Sequence, residues 1–351
     1  MNERNSEERK QSTAMYSVSV AMATYNGARY IQEQLDSIAS QTLTPLELVI
    51  TDDGSTDATA EIVRTFAQAA PFPVRFFENS TRLKYADNFL RAASLCSGEL
   101  IAFCDQDDIW LPNKLNRIIT SFDDAEVLLA MHAAETLLLS GERGAHYPEF
   151  RETRVYKQGE CDPFWNRPGF AMVFRRKLLE LTDNSQRPLK LYSHDHWVFF
   201  LAASAGHIAT TSEVLSLYRQ HQSNVYGVPE RRSFLKKLSI GVETPNYREV
   251  AEGELACATA LYRTLPGCPP AWAESFARSA VALERRSAWH RLRGNFYAMD
   301  SGFFLRIKIF IQFLISGAYL PDASRTRLGP KAAWKDLSIG LIGLYKLQKP
   351  L

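Results

Sequence analysis

Short apolar runs alternate with amphipathic stretches through the first third of the chain. Four runs have the length and the β-branched and aromatic content of buried strands: residues 16–22, 46–51, 74–77 and 100–104. Three segments between them repeat apolar residues at helical spacing: residues 28–40, 58–69 and 85–96. Strands and helices that alternate with short links predict an α/β fold, in which a doubly wound, mainly parallel sheet is flanked by helices.

The pattern becomes less regular beyond Trp110. It predicts, in order, a helix over 112–122, a strand over 127–131, a polar surface insertion over 140–168, a helix over 194–205, and strands over 208–210 and 214–218. After Pro229 the composition becomes helical. We therefore predict three regions: a disordered tail over 1–14, an α/β domain over 15–228 and a helical C-terminal region over 229–351.

The composition is that of an ordinary globular protein. The 351 residues are 46% hydrophobic and 23% charged, which excludes a disordered chain. A formal net charge of +2 gives no reason to expect binding to nucleic acid. The five cysteines are odd in number and lack CxxC spacing, and the polar first thirteen residues contain no secretory apolar stretch. These features predict a protein that stays in the reducing cytoplasm.

The segment over residues 303–320 is strongly apolar but contains Arg306 and Lys308. Two cations in so short a stretch argue against a helix that spans a membrane. Two interpretations stay open: a helix that lies on a membrane surface, or a helix that packs in the protein core. The amphipathic segment 334–349 slightly favours peripheral contact of the C-terminal helices with the inner face of the plasma membrane or with a partner.

Three polar clusters stand at the ends of predicted strands: Thr24–Asn26, Asp52-Asp53 and Asp105–Asp108. In doubly wound sheets, ligands bind outside the carboxyl ends of the strands. We therefore expect the three clusters to form one site along one edge of the sheet.

The cluster Asp105-Gln106-Asp107-Asp108 places three carboxylates within four residues. Asp105 and Asp107 project to the same side, because side chains alternate along an extended chain. Like charges so close together repel each other, which favours a compensating hard divalent cation. The alternative is a solvated acidic turn, since Asp is common in turns.

Four further side chains are candidates because of their own chemistry. Tyr25 offers a ring on which a nucleobase can stack, and Asp53 offers a carboxylate that can accept the imide N–H of uracil or thymine. The structural alternatives are turn packing for Tyr25 and an Asx turn or helix cap for Asp53. Asp195 is a candidate general base with an N-cap as its alternative, and His221 is a candidate ligand of the metal or diphosphate.

Taken together, these motifs resemble a known family. Residues 18–27, Asp52–Asp57 and Asp105–Trp110, in this order and spacing, are similar to the family 2 glycosyltransferases with a GT-A fold. The extended form Cys104–Lys114, preceded by Asn88-Phe89, resembles the rhamnosyltransferase-like branch that builds bacterial surface polysaccharides.

The resemblance implies a role for each matching position. The substrate-binding set that it implies is Ala23, Tyr25, Asp53, Lys84, Asn88, Asp105 and Trp197. The implied ligands of Mg²⁺ or Mn²⁺ are Asp107, Asp105 and His221, with Asp107 as the main ligand. Asp195 matches the catalytic base, although His194 replaces the usual acidic neighbour.

These roles predict an inverting, metal-dependent glycosyltransferase. Its donor is a dTDP- or UDP-sugar, with rhamnose as one candidate, and its acceptor is a hydroxyl of a surface-polysaccharide or lipid-linked glycan. Two other interpretations stay open. A nucleotidyltransferase would need a Gly-rich phosphate loop, which residues 26–29 do not form. A non-catalytic sugar-nucleotide or glycan-binding subunit would keep the same fold without the reaction.

Overall fold

The computed structural model describes residues 16–165, 167–180, 187, 193–221, 246–298, 301–321 and 327–341. The chain divides into two compact units. The first comprises residues 1–158, 164–184 and 192–228, and the second comprises residues 159–163, 185–191 and 229–351. The predicted disordered tail over residues 1–14 lies outside the described residues.

In the described part of the first unit, one sheet contains ten strands: β1 Val18–Thr24, β2 Glu47–Asp52, β3 Val74–Glu78, β4 Leu100–Cys104, β5 Ile109–Trp110, β6 Val127–Leu137, β7 Arg143–His146, β8 Arg154–Tyr156, β9 Met172–Arg175 and β10 His207–Arg219. The accompanying helices are α1 Ile31–Ala39, α2 Thr59–Ala69, α3 Lys84–Ser94, α4 Lys114–Ile118, α5 Lys177–Glu180 and α6 His194–Ala205. The predicted α/β fold class, with helices flanking the sheet, is confirmed.

The sheet is mixed rather than mainly parallel. Its main path runs β3-β2-β1-β4-β9-β6-β10-β5. The first four strands are parallel, as predicted, and β6 is parallel to β10. However, β9 is antiparallel to both β4 and β6, and β5 is antiparallel to β10. The apolar run of β9 indicated that it is buried but carried no information about its direction.

The register of the parallel strands brings the predicted polar clusters to one edge. Thr24 of β1 lies opposite Asp52 of β2, and Met22 of β1 lies opposite Cys104 of β4. The residues that follow these strands therefore emerge side by side. The core beneath them includes one face of α1, on which Ile31, Leu35 and Ile38 are buried at helical spacing.

Several strands are longer in the structure than the sequence predicted, or are joined. The strand expected over 127–131 continues to Leu137, and the two strands expected over 208–210 and 214–218 form the single strand β10, which has register irregularities near Val214. The polar insertion over 140–168 contains the two short exposed strands β7 and β8.

The described part of the second unit is helical, as the composition predicted. It contains α7 Tyr247–Thr264, α8 Pro270–Phe296, α9 Phe303–Ile315 and α10 Pro330–Lys335, followed by a π-helical turn over Asp336–Leu341. Aromatic side chains dominate its core. Asp336 is fully buried there and accepts hydrogen bonds from Tyr297 Oη at 2.7 Å and Tyr319 Oη at 2.8 Å. Among the described helices, none is long and apolar enough to cross a membrane.

Candidate functional site

The turn after β1 presents Tyr25. The Tyr25 side chain is 39% exposed, and the Arg82 guanidinium lies over its ring, 4.1 Å from the centroid. The carboxamide of Gln106 holds the backbone of Tyr25 on both sides, because Gln106 Oε1 accepts from the Tyr25 N–H at 3.0 Å and Gln106 Nε2 donates to the Tyr25 carbonyl at 3.2 Å. The turn after β1 and the acidic segment after β4 are therefore joined by one side chain.

The buried carboxylate of Asp53 fixes a neighbouring segment. It accepts hydrogen bonds from the backbone N–H of Leu83 at 2.6 Å, the N–H of Lys84 at 2.7 Å and Asn79 Nδ2 at 3.0 Å. Lys84 adopts a φ of 66°, in the left-handed region, and its side chain is exposed. Asp53 is thus an anchor for residues 79–84 at the edge of the sheet.

Asn88 lies below this surface and not on it. Its side chain is buried, and its Nδ2 donates to the carbonyls of Thr51 at 3.0 Å and Thr24 at 3.3 Å. Its Oδ1 accepts from Asn79 Nδ2 at 2.8 Å. Asn88 therefore ties together the ends of β1 and β2. Ala23, near the end of β1, is likewise almost fully buried, at 9% exposed.

Asp107 meets a side chain that is distant in the sequence. Its Oδ2 lies 2.7 Å from His221 Nε2, and the His221 ring stacks on Tyr30 with 4.9 Å between centroids. Arg219 holds the backbone on the same side, since its Nε donates to the Asp107 carbonyl at 2.8 Å and its Nη2 donates to Glu33 Oε2 at 2.7 Å. The fold thus brings the acidic segment after β4 to the end of β10.

Asp105 belongs to a group of three carboxylates. Burial, followed by the negative charges of Asp107 and Asp195, raises the pKa of Asp105 to about 8. The charges of these three residues therefore act on one another at this edge of the sheet. Asp108, by contrast, is fully buried, and its Oδ1 accepts from the Arg219 N–H at 3.0 Å, which indicates a structural role.

The donor atoms at this position suit Mg²⁺ or Mn²⁺. Carboxylate oxygens suit both ions, an imidazole nitrogen suits Mn²⁺ better than the harder Mg²⁺, and mutually repelling carboxylates are stabilised by a cation. In the described residues, no group of three or more His, Cys, Asp or Glu side chains is arranged to hold a metal. Asp107 supplies one carboxylate and His221 one imidazole, and this small set still fits such an ion because substrate phosphates and water commonly provide its other ligands.

Asp195 stands in the first turn of α6. Ser193 Oγ and the backbone N–H of His196, the latter at 2.9 Å, both donate to its Oδ1. Behind it, the buried His194 ring stacks on Phe89 with 4.1 Å between centroids. The position of Asp195 is therefore fixed by its own helix and by the core under it.

Trp197 is a core residue in this structure. Its side chain is only 1% exposed, and its ring stacks on Phe200 with 5.6 Å between centroids. A substrate could contact it only after displacing the side chains around it. The placement of Trp197 and of Asn88 therefore corrects the expectation that they face the substrate.

Comparison with known sequences decides the family. Residues 19–182 match the model of glycosyl transferase family 2, and this stretch includes the β1, β2 and β4 strand ends described above. Residues 19–182 therefore form a glycosyltransferase family 2 domain. The resemblance inferred from the motifs is confirmed, although Asp195 and His221 lie beyond the matched stretch.

Relatives of this chain are found in several bacteria. An uncharacterized glycosyltransferase of Nostoc sp. is 30% identical and aligns with 59% of this chain and 66% of its own length. The dTDP-rhamnosyl transferase RfbG of Shigella flexneri is 29% identical over 59% of this chain and 73% of that protein. The chain spans 63 to 66% of the length of the first relatives.

Superposition on Staphylococcus aureus TarS 1–349 gives a TM-score of 0.49 at 18% identity, covering 95% of this chain and 93% of that one.

Three residues of the family 2 site were missed by sequence reasoning. Gln106 and Arg219 act through backbone hydrogen bonds, which leave no pattern in a single sequence. Lys114 is fully buried, donates from Nζ to the Phe170 carbonyl at 2.8 Å, and has its pKa lowered to about 7 by burial. A signal for Lys114 was present, because it is the last residue of the motif Cys104–Lys114.

Proposed function

We propose that this chain is an inverting, metal-dependent glycosyltransferase. It moves a sugar from a nucleotide-diphosphate donor to a hydroxyl of a surface-polysaccharide or lipid-linked glycan. The observation that carries the proposal is the meeting of Asp107 with His221, 2.7 Å apart, in a cluster whose charges include Asp195. A metal site and a proton acceptor at one edge of a family 2 domain are the two groups that this reaction needs.

The nucleotide end of the donor is assigned to the turn after β1. Tyr25 offers a half-exposed ring for the base, and the anchored segment at Leu83 and Lys84 lies beside Asp53. We assign Tyr25 and Lys84 to contact with the pyrimidine nucleotide, while the buried Asp53 and Ala23 hold the Lys84 segment and the end of β1 in place. A relative named as a dTDP-rhamnosyl transferase makes dTDP-rhamnose the first donor to test.

The diphosphate end is assigned to Asp107, His221 and Asp105, which would hold Mg²⁺ or Mn²⁺. When bound, such an ion neutralises the charge that develops on the leaving diphosphate. Arg219 keeps Asp107 in place through its backbone carbonyl. The chain's own contribution is therefore to hold these ligands in position before the donor arrives.

The acceptor is activated by Asp195 in this proposal. Its two hydrogen bonds from the described chain both reach Oδ1, which leaves Oδ2 to accept the proton of the attacking hydroxyl. The hydroxyl oxygen forms a bond to the anomeric carbon from the face opposite the diphosphate, and the bond to the diphosphate oxygen breaks. One displacement of this kind inverts the anomeric configuration.

A donor panel tests the proposed function. Purified protein is incubated with dTDP-rhamnose and a set of UDP-sugars, with a polyprenyl-linked glycan acceptor, and with Mn²⁺ or EDTA. We expect acceptor-dependent release of nucleoside diphosphate from one donor and its loss in EDTA. In parallel reactions that contain dTTP or UTP and a sugar 1-phosphate instead, formation of a nucleotide sugar with release of pyrophosphate would identify a nucleotidyltransferase. Tight donor binding without turnover would identify a non-catalytic binding subunit.

The cytoplasmic location of the protein stays a prediction.

Replacing Gly169 with alanine is expected to lower the transfer rate by about tenfold to a hundredfold. A Cβ atom at this position would lie 2.7 Å from His194 Nε2 and 3.3 Å from Asp195 Cβ. The 2.7 Å contact requires the His194 ring at the start of α6 to shift, and Asp195, the next residue and also in tight contact, is expected to move with it. The rate is measured at saturating donor and acceptor. Gly267→Ala is the matched control, since a Cβ there meets nothing within 4 Å. Equal rates for both variants would contradict the placement of Asp195 at the reacting atoms.

A further inference from the structure

The outward side of α9 is apolar. Phe304 and Ile315, near its two ends, are 86% and 83% exposed, and Ile311 between them is 48% exposed. Their spacing of seven and four residues places them on one stripe of the helix. Phe303 and Leu314 lie beside that stripe and are also exposed. Lys308, four residues after Phe304 and three before Ile311, lies on the same stripe, so the surface is apolar with one cation in it. A large exposed apolar surface usually marks an interaction site.

The opposite side of α9 accounts for the packing of the helix. Ile309 and Phe313 are buried and belong to the core of the second unit together with Phe296 and Tyr319. The helix therefore obtains its stabilising contacts from one side only. The apolar residues on the other side remain in contact with solvent in the described chain.

The exposed charges near α9 are positive. Lys308, on the helix itself, and Lys331, at the start of α10, are both exposed. In residues 301–321 and 327–341 the one acidic residue is Asp336, which is fully buried and paired with Arg293. The exposed residues of α9 and of the start of α10 are thus apolar or positively charged. Such a surface suits a membrane with anionic lipid head groups.

The length of α9 matches a helix that lies on a bilayer. Its 13 residues span about 20 Å, whereas the hydrocarbon core of a bilayer is about 30 Å thick. Trp334 in α10 is 67% exposed, and Trp side chains favour the boundary between lipid and water.

We propose that the exposed stripe of α9 docks on the surface of a bilayer that contains anionic lipids. Phe304, Ile311 and Ile315 enter the boundary of the acyl chains, while Lys308 faces the lipid phosphates. A second copy of the chain suits this surface less well, because a two-fold contact would bring each Lys308 toward a surface of the same positive charge. The inference goes beyond the proposed function, since this binding requires neither donor nor acceptor.

Vesicle flotation with the full-length protein tests the proposal. Vesicles of phosphatidylcholine and phosphatidylglycerol in equal parts are compared with vesicles of phosphatidylcholine alone. The wild-type protein is expected to float with the anionic vesicles and to bind them at least about tenfold more tightly than the neutral ones. The double variant Phe304→Gln/Ile315→Gln is expected to lose at least about tenfold in partitioning into the anionic vesicles.

Matched variants separate this surface from general apolar exposure. Val281→Gln/Leu255→Gln changes two exposed apolar residues of α8 and α7 and is expected to float as the wild type does. Circular dichroism and thermal unfolding check that each variant folds. The proposal is overturned if the wild-type protein stays off the anionic vesicles, or if both double variants bind equally. It is also overturned if light scattering shows a wild-type dimer that the Phe304→Gln/Ile315→Gln change converts to monomer.

Discussion

Replacing Asp107 with asparagine is expected to lower the rate of sugar transfer by about a hundredfold to a thousandfold. The change removes the negative charge that faces His221 across 2.7 Å while preserving the shape of the side chain. The substitution leaves one neutral oxygen where a divalent cation requires a charged ligand. The measurement is the initial rate of nucleoside diphosphate release at saturating donor, over a series of Mn²⁺ concentrations.

The control for Asp107→Asn is Asp36→Asn, an identical chemical change on the exposed side of α1. Asp36 accepts a local hydrogen bond from Gln32 and has no part in the proposed site. Its variant should keep the wild-type rate and metal dependence. If Asp107→Asn retains full activity with unaltered dependence on Mn²⁺, Asp107 is not the metal ligand and the proposed mechanism is wrong.

Replacing Asp195 with asparagine is expected to lower kcat by about a hundredfold to ten-thousandfold, the usual contribution of a general base. The amide oxygen can still accept the hydrogen bonds from Ser193 and His196, so the start of α6 keeps its conformation. What disappears is the ability to take a proton from the acceptor hydroxyl. The measurement is kcat with saturating acceptor, compared between variant and wild type across a range of pH.

Donor binding serves as the internal control for Asp195→Asn. The dissociation constant of the donor with Mn²⁺, measured by calorimetry, should change by less than about threefold, because the metal site is assigned to other side chains. A variant that loses donor affinity and keeps kcat would place Asp195 in the donor pocket.

The edge of the sheet could be predicted because strand ends have a local signature. The acidic and polar residues that follow β1, β2 and β4 interrupt apolar runs, and parallel strands place their ends together. The contact between Asp107 and His221 could not be predicted in this way. It depends on the path of β10, whose partner strands are set by the packing of the whole sheet.

Asn88 and Trp197 were wrongly expected to face the substrate, each for a different physical reason. Asn88 looks like an exposed polar residue on an amphipathic helix, but the carbonyls that bind it belong to other strands and cannot be identified from its neighbours. Trp197 could have been assigned correctly, because α6 is apolar on all sides. A helix of that kind is buried throughout, so an aromatic residue within it belongs to the core.

The direction of β9 illustrates a more general limit. Its residues Met172, Val173 and Phe174 are all fully buried, so their sequence indicates burial on both faces. Burial is the same for a strand and its reverse. Only the chain path between β6 and β9 fixes the antiparallel pairing, and this path crosses the polar insertion, where periodicity is weak.

The bond between Gln106 and the Tyr25 backbone has a consequence for how a donor is received. Gly27 allows this close approach, since a Cβ there would lie 2.3 Å from Gln106 Oε1. Gln106 stands between Asp105 and Asp107 in the sequence. Its side chain therefore fixes the distance between the turn after β1 and the acidic segment after β4. In the proposed donor site both turns are thus held in place before binding, so a nucleotide that matches their spacing would bind without the entropic cost of ordering either turn.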